Sequence, residues 1–213
     1  MTGKALPVVA IDGPAAAGKG TLARRIAATL GLPYLDTGLL YRATARRVLD
    51  RDGNPGDPVH AEAAARALIP ADMDSGDLRT PEIDRAAAAV ASIPAVRAAL
   101  LVFQRSFGVA SGAVLDGRDI GTIIFPDAPA KLFVTASVAA RAHRRWLELA
   151  GRGASIPEAD VRSEMEARDA ADASRAAAPL RAAEDAFILD TTDLDAEQAF
   201  AAAMHYLHGL GLG

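Results

Sequence analysis

The stretch that most constrains the fold of this chain is VVAIDGPAAAGKGT, at residues 8–21. Its first four residues are apolar and mostly β-branched, which is typical of a buried strand, and turn-forming residues follow at once. Gly13, Gly18 and Lys19 have the G-x-x-x-x-G-K spacing, and apolar residues then recur at helical spacing over 21–30. The pattern therefore predicts a strand, a phosphate-binding loop and a helix, in that order.

The chemistry of such a loop explains its glycines. Without bulky side chains, consecutive backbone N–H groups can point at a phosphate, and the positive end of the next helix dipole strengthens the attraction. Lys19 adds a mobile positive charge for the outer phosphates. A plain Ala- and Gly-rich turn with a surface lysine is the alternative, which the flanking strand and helix disfavour. The residues expected to bind the phosphates of a nucleotide are Gly13, Pro14, Ala15, Ala16, Ala17, Gly18, Lys19, Gly20 and Thr21.

Gly20 departs from the usual loop, in which a Ser or Thr directly after the lysine ligates Mg²⁺. The hydroxyl comes one residue later, at Thr21. This GKGT form resembles the loop of nucleoside monophosphate kinases, which implies that Mg²⁺ is held mainly by nucleotide phosphates and water. Mg²⁺ gives up its waters reluctantly, so this arrangement suits it. We therefore expect no direct protein ligand for the metal.

Composition excludes several classes of function. The 213 residues, of which 51% are hydrophobic, suffice for one good-sized core with a small appended lobe. A net charge of −4 offers no general surface for nucleic acid, and the absence of cysteine excludes disulfides, thiolate metal sites and a cysteine nucleophile. No run of about eighteen apolar residues occurs, so no membrane span is expected. We expect a cytoplasmic protein without a leader.

Strand and helix patterns alternate, which predicts an α/β fold with a parallel sheet in a three-layer sandwich. Five strands are expected, at 8–11, 32–35, 113–115, 132–135 and 187–189. The section 39–109 has helical patterns without a convincing strand, so it is predicted to form a helical lobe. Two helices are predicted on either side of a loop with two glycines, at 137–151 and 157–171. This charge-rich hairpin resembles a mobile lid, which is expected to be short and to span about 151–182. The core then comprises about 1–38, 110–150 and 183–213.

Blocks across nearly the whole chain resemble the bacterial cytidylate kinase family, one of the nucleoside monophosphate kinases. They are IDGPAAAGKGT (11–21), LDTGLLYR (35–42), RTPEI (79–83), IPAVR (93–97), DGRDIGTIIFPDA (116–128), ARAHRRW (140–146) and RDAADASRAAAPL (168–180). The block at 116–128 is distinctive, whereas the phosphate-binding loop alone indicates only a nucleotide. The resemblance implies transfer of the γ-phosphoryl group of ATP to CMP or dCMP, with Mg²⁺ as cofactor and a monomeric enzyme.

The resemblance also implies roles for individual residues. Arg118 is expected to hold the acceptor phosphate, Asp119 to accept a hydrogen bond from the cytosine amino group, and Asp172 to bind the sugar. Arg168 and Arg175 are expected to close over the phosphates. The implied catalytic residues are Lys19, Arg118, Arg168 and Arg175. The implied substrate-binding residues are Asp36, Thr37, Tyr41, Arg42, Arg97, Arg118, Asp119, Arg168, Asp172 and Arg175.

Spacing alone does not require these roles. Arg168, Asp172 and Arg175 recur at i, i+4 and i+7, which predicts one face of a helix. A solvent-exposed helix with internal ion pairs is the simpler explanation of that pattern. Taken alone, Tyr41 and Arg42 are likewise consistent with a partly buried aromatic ring and a solvated charge.

Two departures from the family pattern lie on the pyrimidine side. Ala88 stands where a serine commonly contacts the base, a contact that Ser92 is a candidate to replace. The section 42–76 is strand-poor, whereas many relatives have a small sheet there. These departures leave the preference among CMP, dCMP and UMP open.

Two other functions are alternatives. A different phosphate-loop kinase, acting on UMP, a sugar acid or shikimate, would share the loop and the lid but would have no use for an aspartate that reads an exocyclic amine. A GTP-binding switch would need an N-K-x-D motif for its base. The single asparagine of the chain is Asn54, within a turn cluster, so the motif is absent.

Overall fold

The computed structural model of the chain describes residues 7–74, 76, 78–175 and 178–213. The N-terminal residues 1–6, and positions 176 and 177 of the predicted lid, lie outside the described residues. The strands are β1 (Val8–Asp12), β2 (Tyr34–Asp36), β3 (Ala113–Gly117), β4 (Ala130–Thr135) and β5 (Phe187–Asp190). The α-helices are α1 (Lys19–Leu30), α2 (Thr37–Leu49), α3 (Pro58–Arg66), α4 (Pro81–Ala91), α5 (Pro94–Ser111), α6 (Val138–Gly151), α7 (Glu158–Ala173) and α8 (Ala196–Gly209). A 3-10 helix (Pro70–Asp74) and a π-helical turn (Ile120–Ile124) are also present.

The five strands form one sheet in the order β2-β3-β1-β4-β5. β1 runs parallel to β3 and β4, and β4 runs parallel to β5. The predicted α/β fold with a five-stranded parallel sheet is confirmed. Ile11 of the central strand is level with Asp116 of β3 on one side and Leu132 of β4 on the other. The loop after β1 therefore leaves the sheet at its carboxyl edge, where open α/β sheets bind ligands.

Several strand boundaries differ from the predicted ones. β3 and β5 include polar residues beyond the apolar runs, Asp116 and Asp190, because backbone pairing does not require an apolar side chain. β2 begins at Tyr34 rather than at the predicted residue 32. Gly31 ends α1 with a left-handed φ of 64°, and Pro33 has no N–H to donate to a neighbouring strand, so the strand starts late.

The main core joins the sheet to α1 and α8. Its buried members include Val9, Ile11, Leu22, Ile26, Val114, Leu132, Val134, Leu189, Ala203 and Leu207. At the surface, Arg25 of α1 makes a bidentate ion pair with Glu197 of α8, with both N–O distances at 2.8 Å. The same guanidinium lies over the ring of Phe200, 4.1 Å from its centroid. The buried core holds α1, and with it the end of the phosphate-binding loop, on the sheet, and the exposed ion pair contributes little.

The chain forms two compact units, one of Met1–Leu35 with Ser111–Gly213 and a smaller one of Asp36–Ala110. In the smaller unit, the described residues 37–110 are helices and turns without a strand, as the sequence predicts for 39–109. Here α2 packs against α3 and α4. Within the described ranges no single helix is long and apolar enough to span a membrane. Helices α4 and α5 reach that length and apolarity only when they are taken together, and a bend of 97° separates them. The boundaries proposed for core, lobe and lid remain predictions.

In the larger unit, α6 and α7 pack side by side, and α7 carries most of the charged residues of the predicted lid. α7 ends at Ala173, so Arg175 lies beyond the helix and the predicted single helical face is wrong in its last member. The helix ends because the chain folds back on itself: the carbonyl oxygen of Asp172 accepts a hydrogen bond from the N–H of Leu180 at 2.9 Å.

Candidate active site

The loop between β1 and α1 has a backbone that requires glycine. Gly13 has a φ of 143°, and a Cβ atom there would lie 1.9 Å from the carbonyl oxygen of Val134 in β4. Gly18 has a φ of 90° and is the N-terminal cap of α1. Any larger residue at Gly13 would therefore displace the loop from the sheet. The loop leads directly into the end of α1 whose dipole attracts anions.

Lys19 is the first residue of α1 and is only 6% exposed. Its Nζ donates a hydrogen bond to the carbonyl oxygen of Pro14 at 2.7 Å, so the ammonium group lies across the loop. The side chain is thus held in place, whereas the sequence interpretation described it as a mobile charge. The reason is local, since the loop curls back over the start of the helix that carries the lysine.

Asp116 at the end of β3 is a polar residue of the distinctive block to which the sequence interpretation assigned no role. The side chain is buried, and Oδ1 accepts a hydrogen bond from the hydroxyl of Tyr34 at 3.0 Å. Its other oxygen, Oδ2, faces the start of α1, since a Cβ atom built at Gly20 would lie 3.5 Å from it. Its position at the carboxyl end of a strand was the available signal.

The groups around the loop fit a magnesium ion that keeps much of its water. Asp116 brings a buried carboxylate to the start of α1, and oxygen ligands are those that Mg²⁺ prefers. In the part of the chain that the structure describes, no three His, Cys, Asp or Glu side chains form a group that could hold a metal. One carboxylate without a cage suits an ion bound chiefly by phosphate oxygens and water.

The turn after β3 carries Asp119 and is held by Asp12, the last residue of β1. Oδ1 of Asp12 accepts a hydrogen bond from the N–H of Ile120 at 2.8 Å, and Oδ2 accepts one from the N–H of Gly121 at 2.7 Å. The pKa of Asp12 is raised to about 6, chiefly because burial disfavours the charged form. The negative charge of Asp119 also raises this pKa, whereas the two N–H groups and the charge of Lys19 lower it. Asp119 is itself buried.

Three of the predicted catalytic arginines act on the carboxylate of Asp172. Its Oδ2 accepts a hydrogen bond from Nε of Arg118 at 2.9 Å, its Oδ1 accepts one from Nη2 of Arg175, and the charge of Arg168 acts on the same group. Burial alone raises the pKa of Asp172, but the arginine charges, led by Arg118, outweigh burial and lower the pKa below its ordinary value. With 3% of its side chain exposed, Asp172 does not fit the alternative of a solvated helix face.

Arg141 of α6 connects the phosphate-binding loop with α7 and was not anticipated. Its Nη1 donates to the carbonyl oxygen of Ala15 at 3.3 Å, and its Nη2 lies 2.6 Å from the carboxylate of Asp169. Its Nε donates to the carbonyl oxygen of Ala136 at 2.9 Å, and the residue is 3% exposed. A small apolar cluster surrounds this contact, made of Ala142, Val161 and Met165 with Ala15, Ala16, Trp146 and Leu149 packed against them.

A cavity of about 250 Å³ opens beside the loop within the larger unit. Gly18 and Thr21 line it from the loop and α1, and Arg144 and Thr191 line it from α6 and the segment after β5. Nη1 of Arg144 donates to Oγ1 of Thr191 at 3.1 Å, and this hydroxyl lies 3.1 Å from the carbonyl oxygen of Ala17, to which it donates. No spacing motif marks this wall, so the sequence interpretation did not include it.

In the smaller unit, two of the predicted substrate residues meet at the start of α2. Asp36 is at the N-cap position of α2 and accepts a hydrogen bond from Arg79 at 3.0 Å. Nε of Arg42 donates to Asp84 of α4 at 2.9 Å. A Cβ atom at Gly38 would lie 3.0 Å from Oδ1 of Asp36 and 3.1 Å from Nη1 of Arg42, so the two groups face each other across the glycine. Arg42 is therefore a paired, partly buried charge rather than a solvated one.

The remaining predicted residues of the smaller unit are Thr37 and Tyr41 on α2 and Arg97 on α5. The guanidinium of Arg97 lies over the ring of Tyr41, 5.7 Å from its centroid, which is a cation–π contact. Nη1 of Arg97 also donates to the carbonyl oxygen of Ala91 at 3.4 Å. Thr37, the first residue of α2, is 4% exposed. Tyr41 thus orients the guanidinium of Arg97, a contact that the spacing of the two residues in the sequence did not predict.

The structure also bears on the contact that Ala88 lacks. Ala88 lies exposed on α4. The hydroxyl of Ser92, the candidate replacement, donates to the carbonyl oxygen of Ala89 at 2.7 Å at the end of the same helix. Ser92 therefore satisfies its own helix terminus, which gives it a structural role in the described smaller unit.

Together the sheet order, the loop on the central strand and the arginines at one carboxylate define a kinase of the phosphate-binding-loop class. Two solved structures show the same fold. TT1252 from Thermus thermophilus is 22% identical, with a TM-score of 0.53, covering 99% of this chain and 100% of that one. An uncharacterized protein from Eubacterium ventriosum is 17% identical, with a TM-score of 0.55, covering 97% and 99%.

The chain belongs to the cytidylate kinase family, whose sequence profile matches residues 9–209. The cytidylate kinase of Acidiphilium cryptum is 66% identical over 196 residues, which is 92% of each chain. That of Granulibacter bethesdensis is 63% identical over 196 residues, covering 92% of this chain and 94% of the relative. The resemblance seen in the sequence is confirmed, and neither another small-molecule kinase nor a GTP switch is favoured.

Proposed function

We propose that the protein transfers the γ-phosphoryl group of ATP to CMP or dCMP, forming CDP or dCDP and ADP. The observation that carries this proposal is that Arg118, Arg168 and Arg175 act on one carboxylate, Asp172, in the unit that holds the phosphate-binding loop. The planar fork of a guanidinium suits phosphate oxygens. Membership of the cytidylate kinase family supports a cytosine nucleotide as the acceptor.

The proposed chemistry depends on positive charge rather than on a strong base. An acceptor phosphate is largely ionised near neutral pH, so its oxygen can attack the γ-phosphorus without prior proton removal. The bond from the γ-phosphorus to the bridging oxygen then breaks, and negative charge moves to ADP. We assign Lys19 to the β- and γ-phosphates, and we assign the stabilisation of the transferring and acceptor phosphates to Arg118, Arg168 and Arg175.

The nucleoside is proposed to be recognised by two aspartates. Asp119 would accept a hydrogen bond from the cytosine amino group, and Asp172 would bind the sugar. A carboxylate has about four acceptor sites, so the two arginines bonded to Asp172 leave capacity for a hydroxyl. In the smaller unit the proposed substrate residues are Asp36, Thr37, Tyr41, Arg42 and Arg97. The contact of Arg97 of α5 with Tyr41 of α2 supports a shared role for these two.

ATP is proposed to bind along the loop at 13–21, with its base in the neighbouring cavity. That cavity, of about 250 Å³, continues from Gly18 and Thr21 and offers the guanidinium of Arg144 at its wall. Bound Mg²⁺ would offset the charge of the β- and γ-phosphates as a Lewis acid. Asp116 is the residue that we propose to hold a water ligand of this ion, which agrees with its burial and its approach to α1.

The proposed activity is tested by an assay with ATP and Mg²⁺ across CMP, dCMP, UMP, AMP and GMP, in which ADP formation is measured. We expect kcat/KM for CMP and dCMP to exceed that for AMP and GMP by about a hundredfold or more, because a purine cannot satisfy a site built for the cytosine edge. Rates on CMP and dCMP no better than on AMP would overturn the proposal.

Asp119→Asn separates base recognition from phosphate handling. The amide places a donor where the cytosine amino group needs an acceptor, so kcat/KM for CMP should fall by about tenfold or more while the slower reaction with UMP changes little. Equal effects on both nucleotides would assign Asp119 to the phosphates or to the fold.

We also propose a monomer that acts in the cytoplasm without a membrane or nucleic-acid partner. The absence of cysteine and the acidic net charge of −4 support these assignments. Light scattering on the purified protein measures its mass in solution, and a dimer at assay concentrations would contradict the monomer.

A further inference from the structure

Asp12 is a buried charged group that the proposed chemistry does not use. It ends β1, directly before the loop at 13–21, and it is 4% exposed. Both of its oxygens are occupied by backbone donors 108 and 109 positions away, the N–H groups of Ile120 and Gly121. Burying a charged side chain is costly, and the two direct bonds of Asp12 therefore point to its role.

The two donors belong to the turn that presents Arg118 and Asp119. Ile120 directly follows Asp119 and begins the π-helical turn, so fixing its N–H fixes the peptide that carries Asp119. The turn is also tightly packed: a Cβ atom at Gly121 would lie 3.4 Å from Oδ2 of Asp12 and 3.2 Å from Cδ of Lys131. The charge of Asp119 acts on Asp12, which agrees with their closeness.

We propose that Asp12 is a positioning residue for base recognition. Its carboxylate holds the turn that carries Asp119 against the start of the phosphate-binding loop. This inference rests on the proposed function, since it assumes that Asp119 reads the acceptor base. Two N–H donors need two acceptor oxygens, and a carboxylate supplies both, whereas an asparagine supplies one acceptor and a donor that faces an N–H. Loss of one anchor should loosen Asp119 without touching either nucleotide.

The test compares Asp12→Asn with the wild type in three measurements. At saturating ATP, the ratio of kcat/KM for CMP to that for UMP should fall about tenfold, because a loosely held Asp119 no longer separates the two bases. KM for ATP should stay within about twofold, since the loop residues are unchanged. Hydrogen exchange at the amides of Ile120 and Gly121 should become faster, which reports the lost anchor independently of activity.

Asp57→Asn is the matched control. Asp57 also accepts two backbone N–H groups, those of Val59 and His60, but at the start of α3 in the smaller unit. It should leave the CMP-to-UMP ratio unchanged. An equal fall of the ratio in both variants would mean that general loss of stability, and not positioning, is responsible.

The outcomes separate this inference from the proposed function. A wild type that does not phosphorylate CMP overturns both. The inference alone is overturned if the wild type phosphorylates CMP and the Asp12→Asn variant exchanges faster at Ile120 and Gly121 but keeps the wild-type ratio of kcat/KM for CMP to that for UMP. If Asp12→Asn does not fold, Gly121→Ala takes its place, because the added Cβ atom would press on Oδ2 of Asp12 and on the side chain of Lys131. Faster exchange at Ile120 with an unchanged ratio in that variant also overturns the inference.

Discussion

At the scale of single residues, the larger unit buries two aspartates whose surroundings affect their ionisation in opposite directions. Burial is the largest influence on Asp12 and raises its pKa to about 6. Burial acts on Asp172 in the same sense, but three arginine charges lower its pKa below the ordinary value. The contribution of Asp12 to stability is therefore lost as the pH rises through about 6, whereas that of Asp172 is lost as the pH falls through its own lowered pKa.

The first prediction follows from Asp12. Its folded-state pKa of about 6 exceeds the ordinary 3.8, so the folded protein binds this proton more tightly and loses stability as the pH rises between the two values. From about pH 4 to about pH 7 the loss amounts to about 2 kcal/mol. Asparagine does not ionise, so the Asp12→Asn variant should not show this pH-dependent loss. Urea denaturation should therefore show that the free energy of unfolding of the variant, relative to that of the wild type, increases by the same amount from about pH 4 to about pH 7.

Asp57→Asn is again the control, because backbone N–H groups lower the pKa of Asp57. Its stability difference from wild type should be constant from about pH 5 upward, where the carboxylate is ionised in both states. A pH-independent difference for Asp12→Asn as well would contradict the raised pKa of Asp12.

The second prediction concerns the base contact that Ala88 cannot make. Ala88 lies exposed on α4, and the hydroxyl of Ser92 is engaged at the end of that helix. Ala88→Ser should lower KM for CMP about fivefold, the equivalent of a hydrogen bond worth about 1 kcal/mol, and leave KM for ATP unchanged. Ala87→Ser, one position along the helix, faces another direction and should change neither constant. Steady-state kinetics decide, and an unaltered KM for CMP in both variants would exclude the contact.

At the scale of elements, periodicity and turn residues were enough to predict the strands, the helices and the loop, since these depend on neighbouring residues. The contacts that organise the site were not predictable in this way. Asp12 and Ile120 are 108 positions apart, and Arg141 and Ala15 are 126 apart. In both cases the partner is a backbone group, which every residue type possesses, so no sequence pattern marks it. Spacing brought Arg168 and Arg175 near Asp172, but no pattern indicated that Arg118, 54 positions away, contacts the same carboxylate.

The third prediction tests how α7 is attached to the loop. Asp169→Asn leaves the buried guanidinium of Arg141 without its carboxylate and with neutral acceptors only, such as the carbonyl oxygens of Ala15 and Ala136. Losing such a charged hydrogen bond should destabilise the protein by about 2 kcal/mol. Hydrogen exchange along α7 should become faster, and KM for ATP should rise because the loop loses part of its support.

Arg162→Gln provides the comparison on the same helix. It removes the ion pair with Glu166, whose two side chains are 57% and 51% exposed, and such pairs contribute little in water. This variant should keep the wild-type exchange rates and KM for ATP. If both variants behave alike, α7 is held by its apolar contacts with α6 and not by the Arg141 contact.

At the scale of the whole molecule, the net charge of −4 conceals how its charges are distributed. The larger unit carries Lys19 and the arginines at Asp172, whereas the smaller unit carries Arg97 over Tyr41. Each unit thus has its own basic groups, which we assign to the phosphates of the two nucleotides. ATP and CMP should therefore each stabilise the protein when bound alone, and the two effects should depend on different residues.

The final prediction tests these assignments by thermal denaturation with one nucleotide at a time. A ligand at about one hundred times its Kd stabilises by about 2.7 kcal/mol, or about 5–10 °C in melting temperature for a chain of this size. Arg97→Ala should abolish the increase with CMP and keep that with ATP, and Lys19→Ala should do the reverse. Arg66→Gln, which removes an exposed ion pair of α3, should keep both. A general loss of stability lowers every melting temperature but leaves the increase caused by each nucleotide unchanged. A residue is therefore assigned to one nucleotide only when its substitution removes the increase with that nucleotide alone. Loss of both increases in Arg97→Ala would contradict the place of Arg97 in the monophosphate site.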